Sequence, residues 1–228
     1  MKTGVMLLSG GMDSTTLLWW LLKHGHKVNC LSVNYGQRHG KELKAASDVW
    51  LLAFQQFSQQ LGDEKGINLY DAGVNQLLKG SSQSDINVAV PHGAYDDEVM
   101  KTTVVPNRNM MMLSFAIAWA ISEKMDYVWY GAHSGDHTIY PDCRPEFVQA
   151  LAQTTKLADW HQPELVAPFI HWDKGDIALI GNGLGVPYGK TWTCYEGKDN
   201  PCEKCGACVE RAEAFEFAGI ADPLLAKV

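Results

Sequence analysis

The 228-residue chain contains no apolar run long enough to cross a bilayer; stretches such as residues 17–22 are far shorter than the roughly 20 residues a helical span needs. It also lacks an excess of positive charge. Lys and Arg number 19 against 26 for Asp and Glu, a formal net charge of −7, so a broad grip on phosphate backbones is not expected and no direct nucleic-acid partner is read. No secretory signal opens it, because residues 5–8 run straight into a polar glycine turn. These absences lead to the expectation of a cytoplasmic protein without membrane association, whose six cysteines need a role other than disulfides. What is present is an ordinary globular balance, 46% hydrophobic and 20% charged. The length suits one sizeable core, or a core with a small appendage.

Hydrophobic patterning gives a buried strand over residues 5–8, a helix over 14–24 with Leu17, Leu18, Leu21 and Leu22 on one side, and Gly25 as its cap. A second strand at 28–33 follows at the spacing of a βαβ unit. A long helix is predicted over 41–61, a strand at 67–70, an extended piece at 102–105, a helix at 109–125 and a strand at 127–130. Helices at 145–157 and 173–184 flank a short extended piece near 165–167. Residues 79–101 show no period and read as a lid, a binding loop or a disordered stretch. Strands alternating with helices predict an α/β fold with a doubly wound parallel sheet over residues 1–185 and a smaller cysteine-bearing region over 186–228.

The turn after the first strand reads Ser9-Gly10-Gly11-Met12-Asp13-Ser14-Thr15-Thr16. It lies where open α/β sheets bind ligands, at the carboxyl end of a strand. Two glycines let backbone N–H groups approach an anion, the following helix adds partial positive charge, and Ser9, Ser14, Thr15 and Thr16 supply hydroxyls. Asp13 beside a phosphate implies a metal ion or an oriented donor. The turn lacks a Gly-Lys-Ser/Thr ending and the Gly-x-Gly-x-x-Gly spacing, which excludes the two better-known phosphate loops. The plain alternative is a tight turn capped by Ser or Asp.

Cys194, Cys202, Cys205 and Cys208 form a C-x7-C-x2-C-x2-C set. Four soft thiolates close a tetrahedral shell with no open position, which predicts structural Zn²⁺, with an iron–sulfur cluster as the competitor. Cys30, within the second strand, reads as core.

The Ser-Gly-Gly-x-Asp-Ser turn resembles that of the N-type ATP pyrophosphatases, which cleave ATP between the α and β phosphates and adenylate a carboxylate or carbonyl. Together with the terminal cysteines, the chain resembles the 7-cyano-7-deazaguanine synthase family within that group. The resemblance also rests on Asn34-Tyr35-Gly36-Gln37-Arg38-His39, on the block from Lys101-Thr102-Thr103 to Asn107-Arg108-Asn109, on Tyr140-Pro141-Asp142-Cys143-Arg144-Pro145-Glu146-Phe147, and on Trp192-Thr193-Cys194-Tyr195. It implies conversion of 7-carboxy-7-deazaguanine and ammonia to the nitrile with two ATP, structural Zn²⁺, Mg²⁺ with ATP, and a homodimer.

On that resemblance ATP binds over Leu8, Ser9, Gly10, Gly11, Met12, Asp13, Ser14, Thr15, Thr16, Leu17 and Leu18. Asp13, Lys101 and Arg108 are the catalytic candidates, the two cations having ordinary surface charge as their alternative. Tyr140, Asp142, Arg144, Glu146 and Trp192 are the substrate-binding candidates. Asp142 or Glu146 would accept hydrogen bonds from the deazaguanine edge, or else cap the helix beginning at Pro145, while Tyr140 or Trp192 would stack on the ring. His133 and His137 are candidates for proton transfer or for plain structural hydrogen bonding. Trp50, Phe54 and Phe57 serve either a dimer interface or the core, and residues 50–60 look like a surface insertion relative to the family. Residues 131–137 and the pair Gly189-Lys190 also depart from its usual pattern. The rival readings are an RNA-thiolating or amidating enzyme, a paralogue that stops at the amide or passes the activated ring to another amine, and a zinc-ribbon module with a vestigial ATP turn.

Overall fold

A computed structural model of the chain describes residues 2–62, 67–74, 77–93, 100–136 and 138–225. β1 (Thr3–Leu7) and β2 (Lys27–Asn34) are buried on both faces, as expected for central parallel strands, although β2 carries Asn29 and Ser32 among its apolar residues. Between them α1 (Met12–Lys23) ends where Gly25 takes φ +77° and donates its N–H to Leu22 O at 3.0 Å, the predicted left-handed cap. There follow α2 (Lys41–Phe57), β3 (Asn68–Asp71), α3 (Arg108–Ser122), β4 (Tyr127–Trp129), α4 (Pro145–Ala158), β5 (Glu164–Val166), α5 (Lys174–Leu184) and α6 (Gly206–Phe217).

The five strands run in the order β3-β2-β1-β4-β5 and every neighbouring pair is parallel, with Met6 opposite both Cys30 and Trp129. Alternation along β1 sends Met6 into a core shared with α1, α2, α5 and α6, and Val5 and Leu7 into one shared with α3 and α4. Helices therefore cover both faces, the doubly wound α/β architecture the sequence predicts. The chain moves outward from β1 through β2 to β3, then returns to β4 on the other side of β1. That reversal opens a crevice at the carboxyl ends of β1 and β4. Among the described residues no helix is long and apolar enough to cross a membrane.

Several expectations need correction. The helix from Lys41 stops at Phe57 rather than 61. Trp50 and Ala53 are buried in the core, Trp50 stacks on Phe54 at 5.2 Å, and Phe57 meets the Trp19 ring edge-on at 6.2 Å. These aromatics are core and rim of core, so the start of the 50–60 segment is not a surface insertion. Residues 101–103 form a 3₁₀ turn instead of an extended piece. The aperiodic stretch is ordered where described: Ser81, Ser82 and Gln83 are buried, and the Arg38 guanidinium donates to Ser82 O and Val88 O. Its residues 94–99 lie outside the described residues.

Hydrophobic patterning does not predict the helix α6. It packs Phe215 and Ala214 into the core that contains Met6 and Trp19, and the Phe217 ring fills the space where a Cβ on Gly175 would come within 2.3 Å. Arg211, almost fully buried, donates to both oxygens of Asp222 and to Thr191 Oγ1, Thr193 Oγ1 and Tyr188 O. One guanidinium fork thus ties the tail to the 188–193 segment, and residues on either side of position 185 share one core.

Candidate active site and metal centre

The first strand delivers the chain into the glycine turn at the crevice. Gly10 sits at φ +83°, and a Cβ there would lie 2.4 Å from Glu42 O and 2.5 Å from Ala46 N; only glycine lets the turn lie against α2. Trp192 N–H donates to Gly10 O at 2.9 Å, which fastens the turn to the segment leading into the cysteines. Ser9 Oγ and Ser14 Oγ are 2.9 Å apart, and Gly11 N–H reaches Ser9 Oγ at 3.3 Å. A cavity of about 230 Å³ opens over this turn, with Leu8, Ser9, Gly11, Asp13 and Ser14 in its lining.

The rest of the turn faces elsewhere. Thr15 and Thr16 donate their hydroxyls to Gly11 O and Met12 O, one helical turn back, and Thr16 Oγ1 also meets the Tyr188 hydroxyl at 2.8 Å. Met12, Leu17 and Leu18 belong to the core. Of the residues assigned to ATP, those contributing to the cavity wall are Leu8, Ser9, Gly11, Asp13 and Ser14.

Around Asp13 the fold gathers groups from four elements. Lys174 Nζ lies 3.6 Å from Asp13 Oδ2 and hydrogen-bonds Glu210 of α6. An Asp173–Asp176 capping box fixes the start of α5 and puts Lys174 in its first turn. A cation there opposes the helix dipole, so its place is not explained by helix stability. Burial works against the charge of Lys174, but Asp13, Glu210 and Asp136 raise its pKa above the ordinary lysine value, so it stays an ammonium. Burial also pushes the Glu210 carboxyl up, with Lys174 pulling it back. His133, fully buried after β4, has Nε2 at 3.7 Å from Asp13 and 3.4 Å from Asp136, and among the described residues neither ring nitrogen has a hydrogen-bond partner. His133, Asp136 and Glu210 bring their ligand atoms within 4.8 Å of one another. His137 lies outside the described residues.

The cavity wall also includes Tyr35, Glu42, Gln83, Arg108, Tyr140 and Trp192. The Arg108 guanidinium lies over the Tyr35 ring at 5.8 Å with a long contact of 3.5 Å to its hydroxyl, and Nε is buried without a partner. Tyr140 hydroxyl bonds Thr103 Oγ1 at 2.8 Å and Tyr195 at 3.2 Å. The Trp192 indole donates to Cys194 O, with the Lys41 ammonium over its ring.

Four candidates stand away from this wall. Asp142 accepts the Asn109 N–H at 3.0 Å and so caps α3, whose own N-cap Asn107 offers no side-chain bond; it is a capping residue, but not for the helix at Pro145. Glu146 and Arg144 are exposed on the start of α4, and Lys101 is exposed on the 3₁₀ turn. None of these four lines the cavity. Glu42, Gln83, Asp136, Lys174 and Glu210 were missed by sequence reasoning, since the company that gives each its place in the cavity comes from distant segments. The one available signal was Lys174, a cation placed against the dipole at a helix start.

The four terminal cysteines converge with all Sγ atoms within 4.8 Å, Cys202 and Cys208 being 4.0 Å apart. A tetrahedral shell with Zn–S bonds near 2.3 Å spaces its sulfurs by about 3.8 Å, whereas a disulfide needs about 2 Å. Backbone N–H groups of Cys202 and Cys205 point at Cys194 Sγ and Cys202 Sγ at 3.3 and 3.2 Å, as thiolate acceptors require. Hydrogen bonds from Cys205 and Cys208 hold Cys194 well below the ordinary thiol range. This donor set fits one soft metal ion and leaves no open position on it. Cys30, by contrast, is buried in β2.

Comparison with known proteins shows the family. The family model described as "Queuosine biosynthesis protein QueC" matches residues 3–219. Curated relatives named 7-cyano-7-deazaguanine synthase include those of Pseudoalteromonas translucida, 47% identical with 96% of each chain covered, and Hahella chejuensis, 49% identical over 96% of this chain and 91% of that one. One from Methanoregula boonei is 48% identical over 96% of this chain and 97% of its own. Among solved structures, a 4-thiouridine synthetase–RNA complex with bound ATP matches with TM-score 0.52 at 17% identity, covering 96% of this chain and 50% of that one, a likeness of fold. With the phosphate turn and all four cysteines inside the matched span, this chain belongs to the QueC family of queuosine biosynthesis proteins.

Proposed function

We propose that the chain is an ATP-dependent ligase that makes 7-cyano-7-deazaguanine from 7-carboxy-7-deazaguanine and ammonia. The observation that carries this reading is the cavity over the glycine turn, where serine hydroxyls and Lys174 meet a wall of aromatic and polar side chains in a chain with such relatives. The relatives' name favours the nitrile over an enzyme that stops at the amide.

A carboxylate is a poor electrophile. Transfer of AMP to its oxygen, with loss of pyrophosphate, makes that oxygen a leaving group; ammonia then displaces AMP and gives the amide. A second adenylation on the amide oxygen allows loss of AMP and a proton to leave the nitrile. In this scheme Ser9, Ser14 and the Gly11 N–H hold the departing pyrophosphate, and the Lys174 ammonium neutralises charge that grows on it. Arg108, with its unpartnered Nε, holds the acid's carboxylate for attack on the α phosphorus. His133 steadies Asp13 and Asp136.

Asp13, whose buried Oδ1 has no partner, with Asp136 and Glu210 offers the hard oxygens that Mg²⁺ prefers, and Mg²⁺ arriving with ATP would add charge stabilisation there. Zn²⁺ on Cys194, Cys202, Cys205 and Cys208 would supply a cross-link and no chemistry. The same reading takes the protein as a cytoplasmic homodimer acting on small molecules, which sedimentation velocity tests for the dimer.

The deciding experiment incubates the purified chain with the acid, ATP, Mg²⁺ and ammonia and follows acid, amide, nitrile, AMP and pyrophosphate by mass. Nitrile with two AMP per turnover is expected. ADP as the nucleotide product, or no consumption of the acid, defeats the proposal.

A further inference from the structure

Two sets of polar side chains line the cavity. Asp13, Lys174 and Glu210 are already given to the phosphates. Glu42, whose backbone lies against Gly10, and Gln83 are used by no step above. Glu42 sits in the first turn of α2, and among the described residues no hydrogen-bond donor reaches its carboxylate, although it lines the cavity. Burial raises its pKa, with His39 and Arg108 pulling the other way. Gln83 is buried, and its Nε2 donor has no acceptor. Its backbone is anchored beside the start of α2, because Arg38 N–H donates to Gln83 O at 2.7 Å.

A buried donor without a partner, as at Gln83, is expensive unless a ligand completes it. A ligand filling this cavity would meet the Gln83 donor with an acceptor and the half-buried Glu42 carboxylate with donors. Two rings enter this cavity in the proposed reaction. Adenine shows one amino donor beside a ring nitrogen whose lone pair would face the carboxylate. A 2-amino-6-oxo ring shows adjacent N–H and NH₂ donors, which a carboxylate accepts in pairs, with ring and carbonyl acceptors on either side.

Resting on the proposed function, we infer that Glu42 reads the N1–H and 2-amino edge of the deazaguanine and sets the preference for that edge, while Gln83 donates to a flanking acceptor of the same ring and adds affinity. Asp142, engaged at the start of α3, is released from that role.

The test uses the full chain and two acids, 7-carboxy-7-deazaguanine and its analogue without the 2-amino group. The wild-type enzyme should prefer the parent by about 100-fold in kcat/KM, as sites built to bond a polar group do. Glu42→Gln should lose about 100-fold on the parent acid, mainly through KM, leave the KM for ATP nearly unchanged, and shrink the preference to about tenfold or less. Gln83→Leu should weaken both acids alike. If Glu42→Gln does not fold, as read by circular dichroism, Glu42→Asp must show the same loss of preference. An undiminished preference in the folded variant, or a rise in the KM for ATP alone, overturns this inference while leaving the proposed function standing. A wild-type chain that consumes neither acid defeats the proposed function instead.

Discussion

Lys174 Nζ stands 3.6 Å from Asp13 Oδ2 while bonded to Glu210, so one ammonium bridges a carboxylate of the phosphate turn and one of the C-terminal helix. Remove it and the carboxylates are left facing each other in a largely buried place. Lys174→Met should lower stability by about 3 kcal/mol, read by urea denaturation, because breaking a buried pair strands its partner charge. AMP release should fall by about 100-fold or more, since a preorganised cation at the developing charge is lost. Adding Glu210→Gln should restore part of the stability and none of the activity. A Lys174→Met enzyme with normal turnover would remove this lysine from the reaction.

The two glycines of the turn should respond differently. At Gly10 a methyl group meets the α2 backbone at 2.4 and 2.5 Å and the residue is left-handed; at Gly11 the nearest atom is Ser9 Oγ at 3.4 Å and φ is −75°. Gly10→Ala should therefore cost at least about 2 kcal/mol, while Gly11→Ala should cost under about 1 kcal/mol. Equal denaturation midpoints for the two variants would contradict the packing described.

Arg211 offers a test of the tail. Its fork fills five hydrogen bonds to Asp222, Thr191, Thr193 and Tyr188. Arg211→Met should destabilise the protein by about 3–5 kcal/mol, from the stranded Asp222 and the orphaned oxygens. Arg211→Lys should recover less than half of that, because an ammonium cannot fill the planar fork. Thermal melts monitored at the tryptophans would measure both.

Metal removal should be felt at a distance. The purified chain is expected to hold one metal ion per chain by mass spectrometry of the metals. A strong chelator should lower the melting temperature and weaken ATP binding together, because Trp192 links the cysteine segment to Gly10. Cys205→Ser should do both without added chelator. A chelated protein that binds ATP as before would show the cysteine centre to be independent of the turn.

The fold was legible wherever one local signal sufficed. The buried runs of β1 and β2, the glycine turn between β1 and α1 and the clustered cysteines all declare themselves within a few residues. Register between strands, the reversal at β4 and the placement of α6 depend on distant partners, and no short window holds them. The site divides in the same way. Ser9, Asp13, Ser14 and the four cysteines stood in recognisable spacings, whereas Glu42, Lys174 and Glu210 come together only because the chain between positions 42 and 210 folds them onto one cavity. Asp142 is the converse: a carboxylate in a distinctive motif that the structure shows capping the start of α3.

The bond from Trp192 to Gly10, and the guanidinium that secures residues 188–193 to Asp222, make the bend after β1 depend on chain remote from it in sequence. Loosening that guanidinium should therefore be felt at Gly10 as faster amide exchange, although the Arg211 side chain bonds Asp222, Thr191, Thr193 and Tyr188 rather than the bend.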